Sequence, residues 1–533
     1  MRDWSRLRAV LATLALVAAA PAALADDGVR AEAALHVHTT SVANLPSSQV
    51  RFDPATRTFA LGGYLVPEGE QRYGSTFAAV RLDGRHLGGA LRWTLALDTG
   101  ELRRTRFPEL AGVCLSFTSP TGLDLAGQAG CRQGAGVFPV ESTVLAEPRL
   151  ASNGRPFGDE LSATLLIREA SVALTFGRAG FATVRAGRSR YAVADGLVHD
   201  DYATGVDLAL DLGALGPPFE VRAAVFQPTR DWPKTVDGIS PVVVLRADWL
   251  PSLFEHAGLF LAARRDGTGS VAELFRGALV EDAVVRLAGL APGQVGYAAQ
   301  AEYLLRVLAA SASSQATMGW AGVSGSLLPF RGHRLAFTAA VMRGELTRLE
   351  TAAGAQATQD VPLSGRAVSL RWDWSPADWL TVAPWFLYLS GDRPPTEKAR
   401  LGLPPGYAGF LGVTPFVAAT NIFFGGGLSE SFAARQATAP GVNGRGVVAP
   451  GLTVEVDLPA KVGLTARGAW LLAEDAGPYG GRVYGTEVDL TARWSPMGWL
   501  TVGLEGDLLL PGDFFGGDQP ISKAILAVDV STP

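Results

Sequence analysis

The sequence predicts an all-β fold, a transmembrane antiparallel β-barrel of about 18 strands, within a range of roughly 16 to 20. Three observations support this prediction. After residue 30, apolar and polar residues alternate with a period of two in segments of about 9 to 12 residues. Tight turns alternate with long loops along the chain, and tryptophan residues cluster beside the tight turns.

The alternation is clear in the segment TGVDLALDLG, where Val206, Leu208 and Leu210 share one face and Asp207 and Asp211 share the other. A membrane barrel places such an apolar face against lipid and the polar face against a wet interior. The polar faces therefore predict the residues that line a pore. These are Arg185, Asp207, Asp211, Arg222, Glu302, Arg306, Arg371, Asp373, Glu455, Asp457, Arg467, Glu487, Asp489, Arg493, Glu505 and Asp507.

Two nearly identical stretches, WSPADWLTV at 374–382 and WSPMGWLTV at 494–502, each predict a tight turn flanked by tryptophan. Amphipathic aromatic rings favour the depth of the lipid headgroups, so these pairs indicate one rim of a bilayer-spanning sheet. A soluble β-sandwich, solenoid or propeller also has a period of two, and these folds remain the alternatives. Closure into a barrel removes the edge strands that so long a sheet would otherwise expose.

The domain organisation is predicted to be simple. Residues 1–25 resemble a secretory signal peptide, with arginines, a short apolar run and an A-x-A cleavage site. Residues 26–533 form a single barrel with long loops at about 100–159 and 391–448. Residues 271–314 suit either a helix or a strand, and their neighbours favour a strand. The expected location is the bacterial outer membrane.

Two cysteines, Cys114 and Cys131, are present in the chain. In an oxidising compartment outside the cytoplasm they are expected to form a disulfide within a long loop. A metal pair or two free thiols are the alternatives, although no His or Cys neighbour supports a metal.

Composition and motifs exclude several classes of function. The net charge of −5 argues against a nucleic-acid partner, which would favour a basic surface. The sequence lacks the H-E-x-x-H, G-x-S-x-G and P-loop motifs, so we predict neither an enzyme nor a cofactor. We expect the cluster at 199–201 (HDD) to be a loop. His36 and His38 share one face of the first strand, but a metal site needs more ligands, so none is predicted.

The C-terminal stretch YGTEVDLTARWSPMGWLTVGLEGDLLLPGDFF (484–515) resembles the closing hairpin of alginate-export-type outer-membrane porins. A second stretch at 184–208 is similar to a strand and loop of large porins, and Arg185, Arg188 and Arg190 are its basic positions. Because side chains alternate between the two faces of a strand, Arg185 is expected to point inward and Arg188 to lie on the opposite face. The resemblance implies a monomeric barrel of about eighteen strands that passes an anionic polysaccharide through an Arg-lined constriction.

The expected function is therefore an outer-membrane channel that exports an anionic polysaccharide or sugar polymer. Its expected partners are outer-membrane lipid, the transported polysaccharide or small solute, and a periplasmic export assembly. The alternatives are a general diffusion porin for small solutes and a structural or adhesive β protein without a pore. A polyanion exporter should have a mostly basic constriction, which distinguishes it from a small-solute porin.

Overall fold

The structure of this protein is a computed structural model in which one closed sheet of eighteen strands accounts for most of the described residues. The residues that it describes are 28–43, 46–47, 51–53, 58–60, 66–67, 71–98, 114–119, 122–126, 166–177, 180–228, 240–252, 254–267, 271, 294–300, 315–347, 360–393, 395, 398, 401–413, 417, 419–424, 426–428, 441, 444–477, 480–514 and 519–532.

The barrel strands follow one another in chain order. They are β1 Gly28–Ala43, β2 Gln71–His86, β3 Leu91–Asp98, β4 Leu166–Phe176, β5 Ala182–Val193, β6 His199–Asp211, β7 Phe219–Pro228, β8 Val242–Ser252, β9 Glu255–Asp266, β10 Gln315–Phe330, β11 His333–Thr347, β12 Val361–Ala377, β13 Leu380–Leu389, β14 Val447–Leu458, β15 Val462–Leu472, β16 Val483–Met497, β17 Leu500–Pro511 and β18 Ile521–Ser531.

Short elements lie in the connections. Three two-stranded pairs join Pro46–Ser47 to Val66–Pro67, Arg51–Asp53 to Thr58–Ala60, and Cys114–Ser119 to Gly122–Ala126. Ala194–Gly196 and Leu212–Leu215 are 3-10 turns. No helix in the described part of the chain is long and apolar enough to cross a membrane.

Each barrel strand pairs antiparallel with the next, and the first pairs with the last. At this seam His36 lies opposite Asp529, and the register extends from Ala34–Ser531 to Ala43–Ser522. The N–H of Thr532 donates to the carbonyl of Ala33, and the N–H of Ala33 donates to the hydroxyl of Thr532, so these bonds extend the seam at its end. Full closure leaves the sheet without an edge, as a bilayer requires. The predicted antiparallel barrel of about eighteen strands is confirmed.

The two ends of the barrel differ. Tight turns close one end of the barrel, which we call the tight-turn end. One turn joins β10 to β11 and contains Gly332 with a φ of 76°, and another joins β12 to β13 and contains Trp379. Both the first residues of β1 and the last residues of β18 lie there. The long connections, including 390–446 between β13 and β14, lie at the opposite end. Short periplasmic turns and long extracellular loops characterise outer-membrane barrels.

The outward face of the barrel is an apolar surface. Tryptophan side chains mark it at the tight-turn end, and they are Trp249, Trp372, Trp374, Trp379, Trp494 and Trp499. Further up the wall, aliphatic side chains alternate on the same face, as Leu490, Val488, Leu504 and Leu508 do on β16 and β17. Exposed apolar area of this extent needs lipid as its partner, and the protein is a bacterial outer-membrane barrel.

Two expectations about local structure differ from what the structure shows. Residues 297–300 are helical, so the strand predicted over 271–314 is wrong there, and 301–314 lies outside the described residues. The sequence at 297–300 suits both periods, and these four residues adopt the helical one. The segment 199–201, predicted to be a loop, is the start of β6, because it pairs with the end of β5. The ring of His199 also packs against Phe226, with centroids 4.9 Å apart.

The expected signal peptide and the cysteine pairing concern residues that the structure does not describe. Residues 1–25 and Cys131 lie outside the described ranges, and the side chain of Cys114 is not described. The disulfide therefore stays a prediction.

The orientation of the wall can be tested by a single charge. Leu490 on β16 is 57% exposed on the lipid face, four residues from Trp494. Leu490→Arg should destabilise the barrel by about 2–4 kcal/mol in urea-dependent folding into lipid vesicles, because the guanidinium would lie near the bilayer centre. Thr465→Arg is the matched control, because residue 465 faces the interior opposite Glu455, and it should change stability by far less. Equal losses in the two variants would contradict the assigned faces.

Candidate functional site

A segment of the connection between β13 and β14 folds into the barrel interior. We call it the strap and define it as residues 401–428, of which 401–413, 417, 419–424 and 426–428 are described. Its backbone and side chains contact the wall at three places. These are β12, the region around β10 with the β5–β6 turn, and the surface formed by β16, β17 and β18. β10 and β12 lie close together on the wall and β16 lies four strands further round, so the strap runs through the interior from one part of the wall to another.

The first anchor joins the strap to β12 by backbone pairing. Tyr407 forms a parallel bridge with Leu363, its N–H donates to the carbonyl of Pro362, and its own carbonyl accepts from Ser364. The phenol of Tyr407 is buried and donates to the carbonyl of Gly444 at 3.1 Å. Burial, together with the nearby charge of Asp392, raises the pKa of Tyr407, so the hydroxyl stays protonated and keeps this bond.

The second anchor is made by one indole and one backbone bond. The Nε1–H of Trp320 on β10 donates to the carbonyl of Leu411 at 2.8 Å. Two residues further along the strap, the N–H of Val413 donates to the carbonyl of Val198 at 2.7 Å. Val198 belongs to the turn between β5 and β6, which also folds inward. These two bonds give the carbonyl of Leu411 and the N–H of Val413 partners within the protein, as buried polar groups require.

The third anchor is a carboxylate on β16. Glu487 is fully buried and accepts hydrogen bonds from three groups of the strap. The donors are the hydroxyl of Thr420 at 2.7 Å, the N–H of Ile422 at 2.5 Å and the N–H of Phe423 at 3.0 Å. Hydrogen bonds to a charged acceptor are stronger than those between neutral groups, so this one residue fixes the conformation of the strap over four positions.

Asn421 extends the same anchor across three strands. Its N–H donates to Asp489 at 3.0 Å, its side-chain amide donates to Asp507 at 2.9 Å, and its amide oxygen accepts from Arg467 at 3.1 Å. Lys523 on β18 then donates to the backbone carbonyl of Asn421 at 2.7 Å. Asn421 thus contacts β15 and β17 through its side chain, and β16 and β18 through its backbone.

A buried lysine balances part of the negative charge behind the strap. The ammonium of Lys523 lies 3.1 Å from Glu505 and 3.3 Å from Asp507, and all three side chains are almost completely buried. Glu505 in turn accepts from the N–H of Leu428 at 2.5 Å. Removing one partner of a buried charge pair is strongly destabilising, because the other charge stays in a poorly solvated place. We call Glu487, Asp489, Glu505, Asp507 and Lys523 the strap cluster.

Apolar side chains fill the space between the strap and the wall. Phe410, Leu411 and Val413 of the strap belong to one buried cluster with Trp320 of β10 and Phe226 of β7. Phe423 packs on Tyr484 of β16 with ring centroids 4.9 Å apart. The long-loop half of the barrel is therefore a packed interior in the part that the structure describes. The strap is held by burial as well as by hydrogen bonds.

The wall below the strap, toward the tight-turn end, has a different character. Arginines and carboxylates alternate there two positions apart on single strands, so their side chains face the same way and form ion pairs. The pairs are Arg81–Asp83 at 2.7 Å, Arg222–Glu220 at 3.0 Å, Arg246–Asp248 at 2.6 Å and Arg371–Asp373 at 2.5 Å. We call this region the paired wall.

The residues that the sequence predicts to face inward lie both on the paired wall and in the strap cluster. On the paired wall, Arg185 contacts Asp207 on the next strand at 2.6 Å, and Arg371 also reaches Glu455 at 3.0 Å. Asp211 accepts from the N–H of Gly213 and caps the 3-10 turn. Arg493 and Asp457 are on inward positions and exposed. Glu302 and Arg306 lie outside the described residues. A role for any of them in lining a pore stays a prediction.

The acidic residues of β16 and β17 differ from the expectation in one respect. The sequence predicts that Glu487, Asp489, Glu505 and Asp507 face water, but the strap covers them and leaves each at most 5% exposed. Parity predicts the face on which a side chain lies, but it does not predict what covers that face. Arg188 and Arg190 lie on the outward face, where Arg190 pairs with Asp200 at 2.6 Å.

The residues that contact the strap and its cluster from other elements could not be predicted from the sequence. Thr420, Asn421 and Trp320 stand in no periodic pattern with the residues they contact. Lys523 has the inward parity of β18, and it is one of only four lysines in the chain. Its place inside an alternating apolar strand was the one available signal.

Comparisons with known proteins give the following similarities. No family model and no curated protein matches the sequence. Among solved structures, OccK9 (OpdG) of Pseudomonas aeruginosa has 10% identity and a TM-score of 0.47, with 94% of this chain and 98% of that chain covered. A BenF-like porin of Pseudomonas fluorescens has 8% identity, a TM-score of 0.46 and coverages of 94% and 98%.

OccAB1 of Acinetobacter baumannii is similar at 10% identity and a TM-score of 0.46, with coverages of 94% and 96%. At this level of similarity the comparisons carry no argument about substrate. The expected membership of the alginate-export family is wrong: no model of any family matches, and the similar structures are porins of other kinds. The hairpin motif on which it rested reflects strand alternation and turn chemistry that outer-membrane barrels share.

The strap anchor predicts a local effect of one substitution. Glu487→Gln keeps the size of the side chain but replaces one acceptor oxygen with an amide donor that would face donors of the strap. Protection of the amides at 422 and 423 against hydrogen exchange should fall by about 2 kcal/mol, because charge-assisted hydrogen bonds are lost.

Glu455→Gln is the matched control for that variant. Glu455 lies on the inward face of β14, contacts Arg371 and forms no hydrogen bond with the described residues of the strap, so its substitution should leave the exchange of 422 and 423 unchanged. Equal exchange in Glu487→Gln and the unsubstituted protein would show that Glu487 does not hold the strap.

Proposed function

We propose that this protein is an outer-membrane channel for small polar solutes and that the strap forms its constriction. The observation that carries the proposal is a closed barrel of eighteen strands whose interior is crossed by a segment anchored on three parts of the wall. A barrel of this size has room for an aqueous passage. An inward-folded segment reduces that passage from the width of the barrel to gaps beside the strap.

The charge distribution favours small solutes over an anionic polymer. A polyanion channel needs a continuous basic surface, but the arginines of the paired wall are matched by carboxylates at 2.5–3.0 Å. A long chain of negative charges would therefore find no continuous basic path, whereas a single small solute can cross between local fields of opposite sign.

Paired charges also suit polar solutes that are partly stripped of water. Guanidinium and carboxylate groups that are already paired present donors and acceptors together, and they remain fixed by their mutual hydrogen bonds. Arg493 adds an exposed inward guanidinium below the strap. Its side chain offers a place where a solute carboxylate can exchange bulk water for bidentate contacts.

The proposal predicts a sharp size limit for passage. Vesicles that contain the purified protein should swell in amino acids and monosaccharides, and swelling should fall steeply for trisaccharides and larger sugars, because the proposed constriction at the strap is narrower than the barrel. Vesicles without protein provide the baseline. Swelling that is absent for every solute would contradict a channel, and swelling that is equal for small and large sugars would contradict a constriction.

A further inference from the structure

A cluster of two imidazoles and one carboxylate lies on the interior wall at the seam of the barrel. His36 and His38 occupy alternate positions of β1, and Asp529 lies on β18 directly opposite His36. The Oδ1 atom of Asp529 is 2.7 Å from Nδ1 of His36 and 3.4 Å from Nε2 of His38. The two histidines were visible in the sequence, but the third group comes from the other end of the chain.

The arrangement matches what a transition metal needs. The three candidate ligand atoms all lie within 4.8 Å of one another. In a tetrahedral site with bonds of about 2.0–2.2 Å, the ligand atoms lie roughly 3.3 Å apart, so small side-chain rotations bring this set to that geometry. Two residues two positions apart on a strand face the same way, and this geometry allows both imidazoles to reach one ion.

The ligand types select the class of ion. Two imidazole nitrogens and one carboxylate oxygen suit zinc, copper or nickel, whereas magnesium and calcium prefer sites made of oxygen alone. His36 and Asp529 are 26% and 31% exposed, so an ion can reach them from the interior of the barrel, near the tight-turn end. A site with three protein ligands leaves a coordination position for water or for a solute.

We propose that His36, His38 and Asp529 bind one divalent transition-metal ion, such as Zn²⁺, on the wall of the lumen. The ion bridges the first and last strands, which pair from Ala34–Ser531 to Ala43–Ser522. Because the unfolded chain does not preform this site, binding stabilises the closed barrel. The proposal does not depend on the channel function, because metal binding is measured without transport.

The test uses untagged, metal-stripped protein in detergent. Equilibrium dialysis against Zn²⁺, followed by elemental analysis, should give one ion per chain with a Kd in the micromolar range or below, and Zn²⁺ should raise the melting temperature. His38→Gln and Asp529→Asn should each weaken binding at least tenfold and abolish the rise in melting temperature. Mg²⁺ should neither bind nor raise the melting temperature.

His256→Gln is the matched control, because His256 also faces the interior near the tight-turn end but lies opposite Ser326. It should bind Zn²⁺ as the unsubstituted protein does. Asp529→Asn retains an acceptor for His36 and keeps the size of the side chain, so a folded variant is expected. Absence of Zn²⁺ from the unsubstituted protein, or equal uptake by Asp529→Asn, would overturn the proposal.

Discussion

The requirement that every backbone polar group find a partner inside the bilayer determines the architecture of this protein. Lipid offers no hydrogen bonds, so a sheet can cross it only if the last strand returns to the first. Here β18 pairs with β1 over ten residues, from Ala34–Ser531 to Ala43–Ser522. Closure then divides every strand into a lipid face and an interior face. The positions of Leu490 outside and Asp489 inside follow from that division alone.

Barrel closure also places charged side chains in the interior. Charged side chains that point inward need either water or partners. Near the tight-turn end they pair with one another, as Arg371 does with Asp373 and Glu455. Behind the strap they are buried, and backbone amides of the strap replace water as their partners. The acids of the strap cluster are therefore an attachment surface, and the constriction that we propose depends on them.

Much of this arrangement could be predicted from the sequence, because strand alternation is a local pattern. The fold, the strand number and the two faces all follow from a period of two and from the turn chemistry. The strap could not be predicted in the same way. The contact between Glu487 and Ile422 joins residues 65 positions apart, and one of them lies in a loop without periodicity. Asp529 was missed for the same reason, since it is an isolated acid 493 residues from His36. The resemblance to alginate-export porins failed because a hairpin motif reports the barrel and carries no information about the solute.

The central claim is that the strap, attached through its carboxylate partners, sets the width of an open channel. Single-channel current in planar bilayers tests it most directly, by comparing the unsubstituted protein with a Glu487→Gln/Glu505→Gln double variant. The account predicts a small, steady conductance for the unsubstituted protein and a larger, fluctuating one for the variant, since two of the carboxylates that accept from backbone amides of the strap are lost. Identical conductances in folded barrels, or no current from the unsubstituted protein, would contradict it.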